Sequence, residues 1–382
     1  MLYKQRVIEP KLRDYLKIFP VIGITGPRQS GKSTLLQHCL PDYQYVTFDD
    51  YRAQEFLARD PEGFFQRYAS KTIFDEVQKV PEIFNYIKIR VDKDRANYGN
   101  YILTGSSQFS LLQNISESLA GRIGLLTLLP FQISEMSPAE RDDAIYRGSY
   151  PELVERHFNF SDEWYGSYLD TYVNKDVRAI SKIGDLREFQ RLIRLLAART
   201  SQQLEVSSFA KDLGVAVSTV TRWISVLEAS YIIFLLPPYF KNYGKRITKA
   251  PKLYFYDTGL VSYLTGIKNR DLYENGPLTG SLFENYVVGE ILKRELHLKT
   301  NSTLYYFRTS HGVEVDLIID RGLHKDLIEI KHSSTFHPKM TDSISTILES
   351  GDEACLLYNG ENFPYVDKIK ILNYKNYLLE AL

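Results

Sequence analysis

The chain has 382 residues, with 47 Lys or Arg against 47 Asp or Glu, so its formal net charge is zero; 44% of its residues are apolar. That mix excludes a disordered chain, and the length suits about two to three domains with sizeable cores. Only Cys39 and Cys355 occur as cysteines, which excludes a disulfide framework and a cysteine-rich zinc module and fits a reducing compartment.

The first ten residues hold no apolar run of the signal-peptide kind. The most apolar stretch, Tyr231 to Tyr239, has about half the length of a membrane-spanning helix and carries two prolines. A soluble, cytoplasmic protein with no membrane role is expected. The zero net charge hides an asymmetry, because Leu186 to Lys252 holds eleven Lys or Arg against four Asp or Glu. Such a bias suits a polyanion-binding module, and it equally suits solvated helix faces.

Val21-Ile22-Gly23-Ile24-Thr25 is short, apolar and β-branched, as a buried strand should be. Gly26-Pro27-Arg28-Gln29-Ser30-Gly31-Lys32-Ser33 and Thr34 follow, and the residues after them read as helix up to Pro41. Strand, Gly-x-x-x-x-Gly-Lys-Ser loop and helix together form the context of a P-loop. The glycines let backbone N–H groups turn inward around phosphate oxygens, and the helix N-terminus adds the positive end of its dipole. Residues 26–34 are therefore the nucleotide-binding candidates, with Lys32 for the β- and γ-phosphates and Ser33 for Mg²⁺. ATP and Mg²⁺ are the expected cofactors.

Thr72 to Glu76 reads as an apolar strand ending in two acids. A P-loop site needs a carboxylate beside Mg²⁺, which Asp75 suits, and Glu76 is placed to polarise the attacking water as general base. A third strand, Tyr101 to Thr104, brings the hydroxyls of Thr104 and Ser106 toward the γ-phosphate or the water, although both are also ordinary turn residues. Arg122, ahead of the strand Gly124 to Leu129, is the candidate for a positive charge on the transferring phosphoryl group; the alternative is a surface arginine at a turn.

The order of Gly26 to Thr34, Asp75-Glu76-Val77-Gln78, Leu103-Thr104-Gly105-Ser106-Ser107 and Leu119-Ala120-Gly121-Arg122 resembles the prokaryotic AAA-like ATPases that carry a DUF4143 domain behind the ATPase. Gly148 to Glu152, Tyr172 to Arg178, and Lys252 to Gly259 agree, so the resemblance covers essentially the whole chain. It implies an AAA+-type ATPase working as a homo-oligomer, often a ring, with an arginine supplied across the subunit interface. Arg178, near the end of a predicted amphipathic helix from Trp164 to Ile180, is a second finger or sensor candidate; ion pairing that braces the helix end is the alternative.

Val206 to Leu213 and Ser218 to Glu228 read as two helices joined by a turn at Gly214, with Ser218 as a cap. Strands at Tyr231 to Leu236 and Lys252 to Tyr256 complete a winged helix. On DNA, the second helix would present Ser218, Thr219, Thr221 and Arg222 to a groove, and the wing would bring Lys241, Lys245, Arg246 and Lys249 to phosphates. A packing module between subunits is the alternative.

The last hundred residues place Glu284 on a helix, Asp316 on a strand and Glu329-Ile330-Lys331 on the next strand. This resembles the PD-(D/E)XK nucleases. Alternation along a strand sets Glu329 and Lys331 on one face, and carboxylates gathered there could hold Mg²⁺. A surface ion pair and a fold retained for binding explain the same residues.

The expected architecture is α/β: a P-loop AAA+-type ATPase core over 1–135, a helical lid over 136–200, a winged helix-turn-helix over 201–262 and a PD-(D/E)XK-like α/β domain over 263–382. The expected function is ATP hydrolysis coupled to binding, remodelling or translocation on DNA. The alternatives are a Mg²⁺-dependent nuclease regulated by its ATPase, and an ATP-switched protein-interaction scaffold.

Overall fold

A computed structural model of the chain describes residues 3–105, 118–173, 186–240, 250–309, 311–366 and 368–380. Ser106, Arg178, Lys241, Lys245, Arg246 and Lys249 lie outside the described residues.

β1 (Val21–Thr25), β2 (Gln44–Thr47), β3 (Thr72–Asp75), β4 (Tyr101–Thr104) and β5 (Ile123–Thr127) form one sheet in the order β2-β3-β4-β1-β5, with every pairing parallel. β1, β3 and β4 are buried along their whole length, as strands covered on both faces must be. Alternation sends Ile22, Ile24, Ile73 and Ile102 to one face, against Leu35 and Leu36 of the helix Lys32–Cys39. The other face is aromatic, with Phe48 and Phe64 stacked on Phe74, and Phe74 on Tyr101. β2 carries no clear strand signal in its residues, because it is a half-exposed edge strand without an apolar run.

All five strands point the same way, so their carboxyl ends share one edge, where ligands of such sheets bind. The loop 26–31, Asp75 and Thr104 all stand at that edge. Arg122 immediately precedes β5 and stands at the other one.

The helices Pro138–Arg147, Ser161–Tyr168 and Leu186–Ala198 follow, with a π-helical turn at Leu169–Val173. The helices Val206–Leu213 and Val217–Ala229 are then joined through Gly214, whose φ of 67° is left-handed. The second helix begins at Val217 with Ala216 at its N-cap, so Ser218 is not the cap. β6 (Ile233–Leu236) pairs antiparallel with β7 (Lys252–Phe255). Tyr231, expected in the strand, is instead a left-handed turn residue at φ 56°.

The C-terminal sheet contains β8 (Thr303–Arg308), β9 (Glu314–Asp320), β10 (Lys325–Lys331), β11 (Glu353–Tyr358), β12 (Phe363–Val366) and β13 (Ile369–Asn373), in the order β12-β13-β11-β10-β9-β8. β8, β9 and β10 run as an antiparallel meander, while β10, β11 and β13 are parallel. The helix Thr279–Leu298 packs against this sheet and against β5. One buried apolar cluster runs from Phe131 to Leu378 through the lid helices, the helix-turn-helix and the C-terminal sheet, so these parts share a core. Among the described residues no helix is long and apolar enough to cross a membrane.

Candidate nucleotide site and the C-terminal acid cluster

The loop between β1 and its helix depends on two glycines. Gly26 has φ 142°, and a Cβ there would stand 2.0 Å from the Leu128 carbonyl oxygen. Gly31 is the helix N-cap at φ 92° and offers no capping side chain, which leaves the first helical N–H groups for a phosphate. Lys32 is buried and donates to the carbonyls of Gly26 at 3.0 Å and Pro27 at 2.8 Å. Burial lowers its pKa to about 8, against the opposing pull of Glu76 and Asp75.

Ser33 Oγ donates to Asp75 Oδ2 at 3.2 Å, so the loop serine and the strand-end carboxylate face one another. Tyr45 also donates to Asp75 Oδ2, and Thr104 donates to Asp75 Oδ1. Thr104 is wholly buried and accepts from the Glu76 N–H at 3.4 Å. It therefore orients Asp75 and does not reach the phosphate site as expected from the sequence. Glu76 holds a left-handed backbone at φ 57°, and Gln78 donates to its carboxylate.

Lys32, Ser33 and Glu76 line a cavity of about 470 Å³, together with Arg28, Thr34, Tyr3 and Phe131 among others. The last two were not anticipated. Arg6 was also missed: it donates to the carbonyls of Ser30 at 2.9 Å and Leu129 at 2.7 Å, pairs with Glu135 at 3.1 Å and stacks on Phe131. Nothing local in the sequence marks Arg6, because its side-chain partners are 24 to 129 positions away.

Arg122 makes a two-point ion pair with Asp92, at 2.7 and 3.0 Å. It stands at the sheet edge opposite the loop, so it is not a charge on this chain's own phosphoryl group.

The helix Thr279–Leu298 grips the segment that carries Phe131. Glu290 accepts from the Ile133 N–H at 2.6 Å, and Lys293 donates to the Phe131 carbonyl at 3.0 Å. His297 Nε2 accepts from the Leu129 N–H at 3.2 Å, which leaves its proton on Nδ1, facing Gln132. Burial, then Arg6 and Lys293, hold the His297 pKa well below 6.5. A histidine kept neutral in the fold protonates in the unfolded chain first. Stability should therefore fall as pH drops below 6.5, by up to about 1.4 kcal/mol per pH unit from this group. Urea midpoints between pH 7.5 and 5.5 check this: His297→Gln should flatten the slope.

The predicted C-terminal residues come together. Lys331 pairs with Glu329 and stands 3.5 Å from Asp316 Oδ2, which accepts from the Ile330 N–H at 2.9 Å. Burial, then Asp316, raise the pKa of Glu284 to about 7 and that of Glu329 to about 8. Three members were missed, namely Glu314, Tyr254 and Lys252. Lys252 reaches the cluster from β7, 2.8 Å from Glu284 and 2.6 Å from Glu314. Burial pulls its pKa down, but the facing Tyr254, Glu284, Asp316 and Glu314 more than reverse this and raise it. Among the described residues, no group of three or more His, Cys, Asp or Glu is disposed to hold a metal ion.

On the second helix of the helix-turn-helix, Ser218, Thr221 and Arg222 are exposed and Thr219 is half-buried. Thr221 donates back to the Val217 carbonyl at 3.0 Å. At the other end of that unit, Tyr231 donates to Thr25 Oγ1 at 2.7 Å, at the strand end that enters the Gly26 loop. The segments around Gly148 and Asp257 also meet, where the Ser149 N–H donates to Asp257 at 2.7 Å.

A Gly-Lys-Ser loop at the carboxyl edge of a parallel sheet, with its serine bonded to a strand-end aspartate, defines a P-loop nucleotide site. Comparison with known proteins agrees. Residues 19–137 match the family described as AAA domain, 139–271 a domain of unknown function (DUF8612) and 279–377 a domain of unknown function (DUF4143). An uncharacterized protein of Mycobacterium tuberculosis is 29% identical over 374 residues, spanning 97% of this chain and 83% of that protein. An uncharacterized protein of Methanocaldococcus jannaschii is 24% identical over 353 residues, spanning 82% of this chain and 76% of that protein. The Walker-type ATPase paby2304 of Pyrococcus abyssi is similar with a TM-score of 0.47 at 15% identity, over 69% of this chain and 96% of that one. The chain thus carries an AAA-type P-loop ATPase domain over residues 19–137 and a DUF4143 domain over residues 279–377.

Proposed function

We propose that this ATPase couples Mg²⁺-dependent hydrolysis to binding, remodelling or translocation on DNA, as a cytoplasmic homo-oligomer. The observation that carries the reading is the hydrogen bond from Tyr231 to Thr25. It ties the helix-turn-helix directly to the strand that feeds the phosphate loop, so rearrangement at one is felt at the other. The exposed hydroxyls and Arg222 suit phosphate contact better than base readout, because Thr221 already spends its donor on its own helix.

Lys32 can exchange its two carbonyl partners for β- and γ-phosphate oxygens without leaving the loop. Ser33 and Asp75 present adjacent oxygens, a donor set that suits Mg²⁺, which would neutralise phosphate charge there. Tyr45 and Thr104 keep Asp75 in place. Glu76, on the cavity wall, takes the proton of the attacking water. Arg122 serves the site of a neighbouring subunit, after leaving Asp92.

ATP turnover titrated with single-stranded, duplex and branched DNA at two salt concentrations tests this. DNA should raise turnover, the effect should weaken at higher salt, and Lys32→Ala should show neither basal nor stimulated turnover. Turnover in the wild type that ignores every nucleic acid at both salts would rule out the DNA role and leave the ATPase standing.

A further inference from the structure

The residues of the C-terminal cluster disagree with the metal that a nuclease would need. Glu284, Glu314, Asp316 and Glu329 converge, but a side chain from a different part of the fold stands among them. Lys252 belongs to β7 of the helix-turn-helix unit and is 2% exposed. Its Nζ lies 2.8 Å from Glu284 Oε1, 2.6 Å from Glu314 Oε1 and 3.6 Å from Asp316 Oδ1. Tyr254, two residues on and on the same face of the strand, donates to the same Glu284 oxygen at 2.6 Å. A divalent cation bound by oxygens of Glu284 and Asp316 needs contacts of about 2.0–2.6 Å, in the space this ammonium fills. The other oxygen of Asp316 is also engaged, by the Ile330 N–H at 2.9 Å and Lys331 at 3.5 Å.

The charges agree with the geometry. Lys252, Lys331 and Arg308, which stands 3.3 Å from Glu314, already face the four carboxylates. Breaking a buried ion pair by removing one partner is strongly unfavourable, so the ammonium does not leave readily.

We propose that Lys252 is the resident cation of this acid cluster, so that the protein holds no Mg²⁺ or Mn²⁺ there, and that it fastens the helix-turn-helix unit to a nuclease-like domain that does not cut. The cluster then serves as an internal joint between the DNA-facing unit and the helix Thr279–Leu298, whose far end grips the Phe131 segment.

Mn²⁺ uptake by the nucleotide-free, full-length protein, followed by paramagnetic resonance of the free ion, tests it. The wild type should take up no Mn²⁺ that Asp316→Asn abolishes. Lys252→Gln should gain one Mn²⁺, bound about tenfold or more tightly than any in the wild type, and should lose it when Asp316→Asn is added. Mn²⁺ held by the wild type and released by Asp316→Asn would overturn the proposal. So would Lys252→Gln that keeps the wild-type circular dichroism yet gains no Mn²⁺. Should Lys252→Gln not fold, plasmid nicking by the wild type decides: none is expected with Mn²⁺, and nicking that Asp316→Asn abolishes overturns the proposal.

Discussion

Glu76→Gln should bind ATP as tightly as the wild type and turn it over about 100- to 10,000-fold more slowly, the range that loss of a general base produces. Glu76 directly follows β3, so its position is set by the same strand end that presents Asp75. Its backbone is left-handed at φ 57°, a conformation that costs a non-glycine residue on the order of 1 kcal/mol or more. That strain is held by the buried strand before it and by the hydrogen bond from its N–H to Thr104. The carboxylate is thereby turned to the cavity that Lys32 also lines. The amide of glutamine keeps the size and the hydrogen-bonding oxygen but cannot take a proton. Equilibrium binding of a fluorescent ATP analogue beside single-turnover hydrolysis separates the two effects. Lys32→Ala should lose binding as well. Wild-type turnover in Glu76→Gln would place the base elsewhere.

Gly26→Ala should abolish nucleotide binding and destabilise the fold by about 3 kcal/mol. Two costs combine. The backbone φ of 142° is hard for any L-residue, and the new methyl would lie 2.0 Å from the Leu128 carbonyl oxygen. Leu128 cannot retreat, because its N–H donates to Thr25 at 2.8 Å and the next N–H donates to His297. Gly214→Ala is the control. Gly214 is also left-handed, but nothing lies within 4 Å of its Cβ position, so about 1 kcal/mol is expected. Urea midpoints of the three proteins measure both. A wild-type midpoint in Gly26→Ala would refute the close approach on which the loop geometry rests.

What could be read from the residues alone is what their chemistry confines to a short span. The phosphate loop is contiguous from Gly26 to Thr34, because a cradle of inward N–H groups must be built from adjacent peptides. Asp75 was legible because a P-loop site needs a carboxylate beside Mg²⁺ and an apolar run ending in acids supplies one at a strand end. Glu329 and Lys331 were legible because a strand repeats every two residues.

The tertiary structure decided where charges of the same type go. Arg122 reads equally well as a finger or as a surface arginine at a turn, and the common direction of five parallel strands puts it at the edge away from its own loop. Thr104 stands at the right strand end, but packing buries it behind Asp75. Lys252 looks like one more basic residue of a wing. It becomes the counter-ion of Glu284 and Glu314 only because β7 lies against the C-terminal domain. Arg6, Tyr231 and His297 likewise acquire their roles through partners more than a hundred residues away, at Leu129, Thr25 and again Leu129. A buried charge or hydrogen bond is defined by its partner, and chain folding, not spacing along the sequence, chooses that partner.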